Sequence, residues 1–150
     1  MDLHRIGASA LARRIKDREI TAEAALAYFI DRVECLDGAL NAVVVRRFDL
    51  ARERAREADR ALARGEDWGA LHGVPMTVKE TYEIAGWPTT AGIESLRGHV
   101  SDRTSAAVER LLDAGAVIFG KTNVPAYASD LQPYHDIYGT PPHPLNPAPP

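Results

Sequence analysis

The spacing of apolar residues in the first half of the chain predicts helices joined by one short strand. Ser9 is placed to cap a short helix and Thr21 to cap a longer one, and apolar residues follow each at helical spacing. The β-branched run 43–45 predicts a strand buried on both faces. A third helix is expected from about residue 49 to 64, with Gly65 ending it. Its narrow inner stripe would consist of Ala51, Ala55, Ala58 and Leu62.

The second half changes to the pattern of an α/β fold. Apolar residues alternate through 74–79, which predicts a strand, and Pro75 favours a strand end or an edge position because proline cannot donate to a strand ladder. Thr104 or Ser105 then begins a helix, and the apolar run 116–119 predicts an interior parallel strand. The order strand, helix, strand predicts helices packed around a mixed, mainly parallel sheet. An interior strand needs neighbours on both sides, so about three strands leave this sheet incomplete.

Composition and charge favour an ordinary globular domain over a membrane-spanning or nucleic-acid-binding protein. With 150 residues, of which 45% are hydrophobic and 26% charged, the chain has the make-up of one ordinary globular domain. No apolar run approaches membrane-spanning length, and a net charge of −3 with interleaved signs offers no basic field for nucleic acid. Cys35 is the single cysteine and the histidines are scattered, so neither a disulfide nor a metal site is expected. A cytoplasmic location is predicted.

One match to a nucleotide-binding pattern is rejected on physical grounds. Residues 115–122 read G-x-x-x-x-G-K-T, the letters of a phosphate-binding loop. Such a loop needs a strand before its first glycine and an uninterrupted helix after its lysine and threonine. Here a predicted helix comes before, the intervening residues favour a strand, and Asn123-Val124-Pro125 follows. The segment therefore predicts a helix stop, a strand and a turn.

Lys79 is the residue whose position points to chemistry. It ends a largely apolar strand and runs into a loop rich in glycine and threonine. A lysine held in a dry site loses its proton more readily and can act as a general base. The structural alternative is an ion pair with Glu80 or Glu83 at the strand end, which spacing alone favours.

Three sequence blocks decide between these interpretations by resemblance. Residues 71–80 (LHGVPMTVKE), 88–92 (PTTAG) and 114–125 (AGAVIFGKTNVP) closely resemble the amidase signature family, in the family's order. The resemblance extends over most of the chain and includes Tyr138-Gly139-Thr140. It implies an amidohydrolase that cleaves carboxylic amides into acid plus ammonia or an amine, without a cofactor.

The resemblance also implies roles for individual residues. The family uses a lysine, a serine in a cis peptide bond and a nucleophilic serine, and its lysine matches Lys79. Ser129 and Asp130 match a region that lines the family's acyl pocket, which would bind a small-molecule amide. Membership of a tRNA-dependent amidotransferase, as its A subunit, is a further possibility within the family.

The serines of the family are expected beyond residue 150. Its Gly-Gly-Ser-Ser-Gly-Gly segment would follow the proline-rich stretch, and where the family has Asn-Pro-Trp-Asp-Pro this chain has residues 143–147 as HPLNP. Of the five serines present, none lies in a nucleophile motif, and three are instead placed to begin helices: Ser9, Ser101 and Ser105.

These observations predict a truncated chain. Residues 1–138 would be the N-terminal portion of a single domain and 139–150 a divergent proline-rich tail, so that the chain supplies Lys79 but is inactive alone. The alternative is a non-catalytic or split-enzyme module. Such a module would form a homo-oligomer or bind a second chain through the unfinished edge of its sheet.

Overall fold

The computed structural model of the chain describes residues 2–132 and 134–142. These residues form four α-helices, three strands and three short 3₁₀ turns. None of the described helices has both the length and the apolar character needed to cross a membrane. The helices are α1 (Ala8–Lys16), α2 (Ala22–Leu36), α3 (Phe48–Ala63) and α4 (Ala106–Asp113), and the strands are β1 (Val43–Arg46), β2 (Pro75–Lys79) and β3 (Val117–Thr122).

The chain folds into two compact units, each assembled from three segments. The first contains α1, α3 and the beginnings of β2 and β3; the second contains β1, the ends of β2 and β3, and the loops that follow them. The first unit comprises Met1–Arg32, Arg47–Met76 and Glu109–Phe119, and the second comprises Val33–Arg46, Thr77–Val108 and Gly120–Pro150.

The three strands form one mixed sheet in the order β1-β3-β2. β1 pairs with β3 antiparallel, with an irregularity in the register. β2 runs parallel to β3, because Val117 N–H donates to the Val74 carbonyl and Glu80 N–H donates to the Thr122 carbonyl further along both strands. β3 is the central strand and is buried almost throughout. The predicted α/β class, the interior strand and the edge position of β2 are confirmed.

Alanines in the first unit bring its helices close together. The buried residues of α3 include Ala51, Ala55 and Ala58, as predicted, but the fourth is Ala61 and not Leu62, which is half-buried. Asp59 of the same helix accepts hydrogen bonds from the first N–H groups of α2, at Ala22 (2.7 Å) and at the next residue (3.1 Å). Thr21 caps the same helix end, which confirms its predicted role.

Several local predictions are wrong, each for a physical reason. α1 begins at Ala8 after Gly7, so Ser9 lies inside the first turn and makes no cap. Ser101 is buried against Thr89 and begins no helix, whereas Ser105 does precede α4. β1 is not buried on both faces, because it is an edge strand in which buried valines alternate with half-buried and exposed residues. Of the predicted tail, only 139–142 belong to the described residues, and HPLNP at 143–147 lies outside them.

The segment 115–122 is a turn followed by a strand, as its neighbours in sequence indicate. Gly115 has φ +95°, and a Cβ there would lie 2.7 Å from the Cα of His72. His72 is fully buried: its Nδ1 accepts from the N–H of Trp68 and its Nε2 donates to the carbonyl of Ala58 in α3. The glycine therefore serves close backbone packing, and strand pairing occupies the amides that a phosphate would need.

Replacing Gly115 by alanine is expected to destabilise the chain through both conformation and contact. Gly65 provides the control, because it has φ +82° but open space around it. Gly65→Ala should cost about 1 kcal/mol for the left-handed conformation alone, and Gly115→Ala about 2 kcal/mol more for the clash. Urea unfolding of both variants measures the difference. Equal losses of stability would show that the backbone contact with His72 does not constrain the turn.

Candidate active site

The end of β2 places two charged residues in different environments. Lys79 is exposed, and its carbonyl accepts a hydrogen bond from Tyr82 N–H at 3.0 Å, which closes a turn. Glu80 is fully buried, and its own N–H donates to the carbonyl of Thr122 at 3.0 Å. The main chain at Lys79 is thus held by hydrogen bonds on its C-terminal side, while the residue is exposed.

The buried carboxylate of Glu80 is satisfied entirely by hydrogen-bond donors within the second unit. Thr90 N–H donates to Oε1 at 2.6 Å and Ala91 N–H donates to Oε2 at 2.7 Å. The hydroxyl of Tyr138 donates to Oε1 at 3.2 Å. A buried carboxylate without such partners would cost several kcal/mol, and these three donors offset that cost at Glu80.

Lys121 of β3 is a second buried charge, and it holds the same loop. Its Nζ donates to the carbonyl of Pro88 at 2.7 Å and to Oγ1 of Thr89 at 2.6 Å. Ser101 donates to the same threonine oxygen at 2.8 Å. Burial lowers the pKa of Lys121 from 10.5 to about 8, and the negative charge of Glu80 offsets part of that effect.

Tyr138, in the segment that follows β3 and the turn Ala126–Ala128, is hydrogen-bonded to Glu80. Burial, together with the negative charge of Glu80, raises the pKa of the Tyr138 phenol to about 12. The main chain beside the phenol is held by two side-chain amides: Asn41 Nδ2 donates to the Tyr138 carbonyl at 2.6 Å, and Asn123 Nδ2 donates to the Gly139 carbonyl at 3.2 Å. Tyr138 and Gly139 therefore belong to this site.

Ser129 and Asp130 lie in an exposed turn after Ala126–Ala128. Ser129 Oγ donates to the carbonyl of Ala126, and Leu131 N–H donates to Asp130 Oδ1. Asp130 also lines an open cavity of about 390 Å³, whose other lining residues are Gln132, Tyr134 and Thr140. Among the described residues, no hydrogen bond or ion pair joins either residue to Lys79. Their place in a substrate pocket stays a prediction.

Among the described residues, Lys79 makes no ion pair with Glu80 or Glu83, the structural alternative that spacing alone favours. Glu80 is occupied by Thr90, Ala91 and Tyr138, and Glu83 pairs with Arg103 at 2.9 Å. In the part of the chain that the structure describes, His, Cys, Asp and Glu side chains form no group of three or more that could hold a metal ion.

The sequence singled out Lys79 as a candidate but did not predict the hydrogen-bond network around Glu80 and Lys121. One signal was available: Lys121 lies in a segment that is otherwise apolar on both faces, so its ammonium had to be buried and to need acceptors. The partners could not be predicted, because Pro88, Thr89 and Ser101 are brought to Lys121 by the loop between β2 and α4.

Comparison with known proteins identifies the family. The family model described as Amidase matches residues 24–149, which is most of the chain. The chain belongs to the amidase signature family.

Curated relatives support the same assignment. The chain is 39% identical over 129 residues to the A subunit of glutamyl-tRNA(Gln) amidotransferase from Carboxydothermus hydrogenoformans, covering 85% of this chain and 26% of that protein. It is 45% identical over 126 residues to the putative amidase AmiB2 of Mycobacterium bovis, covering 83% of this chain and 26% of that protein. The chain therefore spans about a quarter of the length of the curated relatives it matches.

Solved structures share the fold. A bacterial aryl acylamidase of the amidase signature family is 29% identical with a TM-score of 0.86, covering 94% of this chain and 30% of that one. A fatty acid amide hydrolase has a TM-score of 0.89 at 23% identity, covering 94% of this chain and 25% of that one, a likeness of fold alone.

The shifted pKa values of Lys121 and Tyr138 predict that the free energy of unfolding is largest near pH 10. Between about pH 8 and 10.5 the unfolded chain binds the Lys121 proton more tightly than the folded chain does, so the free energy of unfolding rises with pH. Between 10.0 and about 12 the folded chain binds the Tyr138 proton more tightly, so stability falls with pH. Urea unfolding from pH 7 to 11 should show a rise on the order of 1–2 kcal/mol and a reversal near pH 10.

Two substitutions separate these contributions. Lys121→Met should abolish the rise, and Tyr138→Phe should abolish the fall while keeping the rise. A wild-type stability that declines steadily from pH 7 upward would contradict the described burial of Lys121.

Proposed function

We propose that this chain provides the lysine of an amidase-signature active centre that hydrolyses carboxylic amides, with Lys79 as the general base. The observation that carries the proposal is the position of Lys79 within the family match: it ends β2, its main chain is fixed, and the residue is exposed. No ion-pair partner holds its amine among the described residues. An amine left free in this way can accept a proton once its surroundings favour the neutral form.

The chemistry follows the resemblance to the family. Neutral Lys79 would accept a proton through a bridging serine while a second serine attacks the amide carbonyl. The C–N bond then breaks, and ammonia or an amine leaves with a proton. Water hydrolyses the resulting acyl-serine to the carboxylic acid. Backbone N–H groups would stabilise the oxyanion that forms at each step.

The serines and the cover over Lys79 would come from polypeptide outside this chain. None of its five serines lies in a nucleophile motif, and Lys79 is exposed whereas a general-base lysine works best in a dry site. The curated relatives contain about three times more polypeptide than the part matched here. We propose that this further portion supplies both, and that residues 1–150 alone are inactive.

A second candidate within the family is the A subunit of an amidotransferase. Several relatives are named as A subunits of glutamyl-tRNA(Gln) amidotransferase, one of them at 41% identity, from Anaeromyxobacter sp.. Both candidates use the same lysine chemistry and differ in whether the ammonia is released or passed to a tRNA-dependent amidation. A cytoplasmic location remains part of the proposal, supported by Cys35, which is exposed and free.

If the chain is instead a module that needs a second chain, the edges of its sheet determine where that chain can add a strand. At the β1 edge, Arg46 already occupies one backbone acceptor: its Nε donates to the Val43 carbonyl at 3.1 Å. Its Nη2 pairs with Asp37 at 2.7 Å. β2 is the other edge of the described sheet. A self-associating or complementing strand is therefore more readily added at β2 than at β1.

Reconstitution tests the proposed function. The full chain should release no ammonia or amine from aliphatic or aromatic amides, because it lacks a nucleophilic serine. Mixing it with a polypeptide comprising AmiB2 outside its matched quarter should restore hydrolysis, measured as ammonia release. Lys79→Ala in the mixture should lower kcat by about 10³-fold or more, the loss expected for a general base.

Lys16→Ala is the matched control. Lys16 is a partly exposed lysine paired with Asp67 in the first unit, so its loss should leave hydrolysis unchanged. Turnover by the chain alone, or reconstituted turnover that survives Lys79→Ala, would refute the assignment of Lys79. A chain that dimerises tightly and never gains activity would favour the non-catalytic module.

A further inference from the structure

We propose that Glu80 and Lys121 are positioning residues, which clamp the loop 88–91 between opposite charges and thereby fix the main chain that carries Lys79. This inference rests on the proposed function of Lys79 and adds two residues to its machinery. Neither side chain is expected to touch the substrate.

The charges of Glu80 and Lys121 match the hydrogen-bonding groups that the loop 88–91 presents to each of them. Residues 88 and 89 present a carbonyl and a hydroxyl oxygen to the Lys121 ammonium, at 2.7 and 2.6 Å. Residues 90 and 91 present two N–H groups to the Glu80 carboxylate, at 2.6 and 2.7 Å. The cation therefore meets only acceptors and the anion only donors. A shift of the loop by two residues would place N–H donors against the Lys121 ammonium and oxygen acceptors against the Glu80 carboxylate. The two charges therefore specify a single position for the loop.

The loop also contains a turn that needs such restraint. Ala91 adopts φ +50°, a conformation that costs a non-glycine residue about 1 kcal/mol or more. Its N–H is held by Glu80, and its carbonyl accepts from Tyr127 N–H at 2.9 Å. Gly92 follows at φ +67°, where a Cβ would lie 2.9 Å from the Cα of Ala126. The strained turn is therefore kept by hydrogen bonds on both sides.

Glu80 transmits this restraint to Lys79 through the chain itself. Its N–H is bonded to Thr122 of the central strand, and its side chain is bonded to the loop and to Tyr138. The residue after Lys79 thus cannot move without breaking four hydrogen bonds. The main chain of Lys79 is therefore restrained, and only rotation about its side-chain bonds changes the position of its amine. Such preorganisation lowers the cost of reaching the reacting geometry, and its loss should appear in kcat.

The experiment compares four variants in the reconstituted mixture. Glu80→Gln keeps the shape of the side chain but brings an NH₂ group towards N–H donors, and it should lower kcat by about 100-fold with KM changed less than about threefold. Glu80→Asp keeps the charge and should recover at least about tenfold of that loss. Lys121→Met should lower kcat in the same direction. Glu94→Gln, which breaks an exposed ion pair with Arg97, should leave kcat unchanged.

A second readout does not depend on catalysis. Amide protons bonded to a carboxylate resonate downfield, so in NMR spectra of the full chain Glu80→Gln should move the Thr90 and Ala91 amides upfield. The β1 amides should stay in place, which also shows that the variant is folded. Unmoved Thr90 and Ala91 resonances would overturn the clamp.

The two readouts separate the two proposals. If the wild-type mixture hydrolyses no amide, the proposed function fails, while the NMR spectra still decide whether the clamp exists. If it does hydrolyse amides, a Glu80→Gln effect on KM alone, or a loss of kcat no larger than that of Glu94→Gln, would overturn the positioning role. A loss of kcat that Glu80→Asp restores supports it.

Discussion

A carboxylate with no access to water must be given hydrogen-bond donors by the protein, and at Glu80 that requirement organises the second unit. Two of the donors are consecutive backbone N–H groups at 90 and 91, and the third is the phenol of Tyr138. To deliver them, the loop after β2 must return to the strand it has just left. The distal segment around 138 must also return to the same point. One buried charge therefore determines where two distant stretches of sequence lie.

The central strand supplies the opposing groups. Lys121 is fully buried, and this burial lowers the pKa of its ammonium. Two residues later, Asn123 donates its side-chain amide to the carbonyls of Asn41 and Gly139, which holds the distal segment in place. Residues 120–123 (GKTN) thus form the end of β3 and the residue after it, where Lys121 and Asn123 make polar contacts, and they do not form a phosphate-binding loop.

The secondary structure was largely predictable from sequence, because helix caps, glycine stops and apolar runs act locally. Thr21, Gly65 and the interior strand are examples. The predictions were wrong where tertiary packing determines burial. Ala61 is buried in place of Leu62, and β1 lies at the edge of the sheet. Lys79 was singled out by its position at the end of an apolar strand, and the resemblance favoured a catalytic role for it over an ion pair. The clamp around Glu80 was not predicted, because hydrogen bonds between residues 80, 90 and 138 depend on the folded path of two loops, which no local pattern encodes.

Membership in the amidase signature family and the buried network together give a physical account of this chain: a mixed sheet whose edge strand ends in an exposed lysine on a fixed main chain. The most direct test of that account is site-resolved amide hydrogen exchange of the wild-type chain. The account predicts that the Thr90 and Ala91 amides are protected to the level of the β3 amides, although they lie in a loop. Exchange of these two amides at the rate of an exposed loop would contradict it.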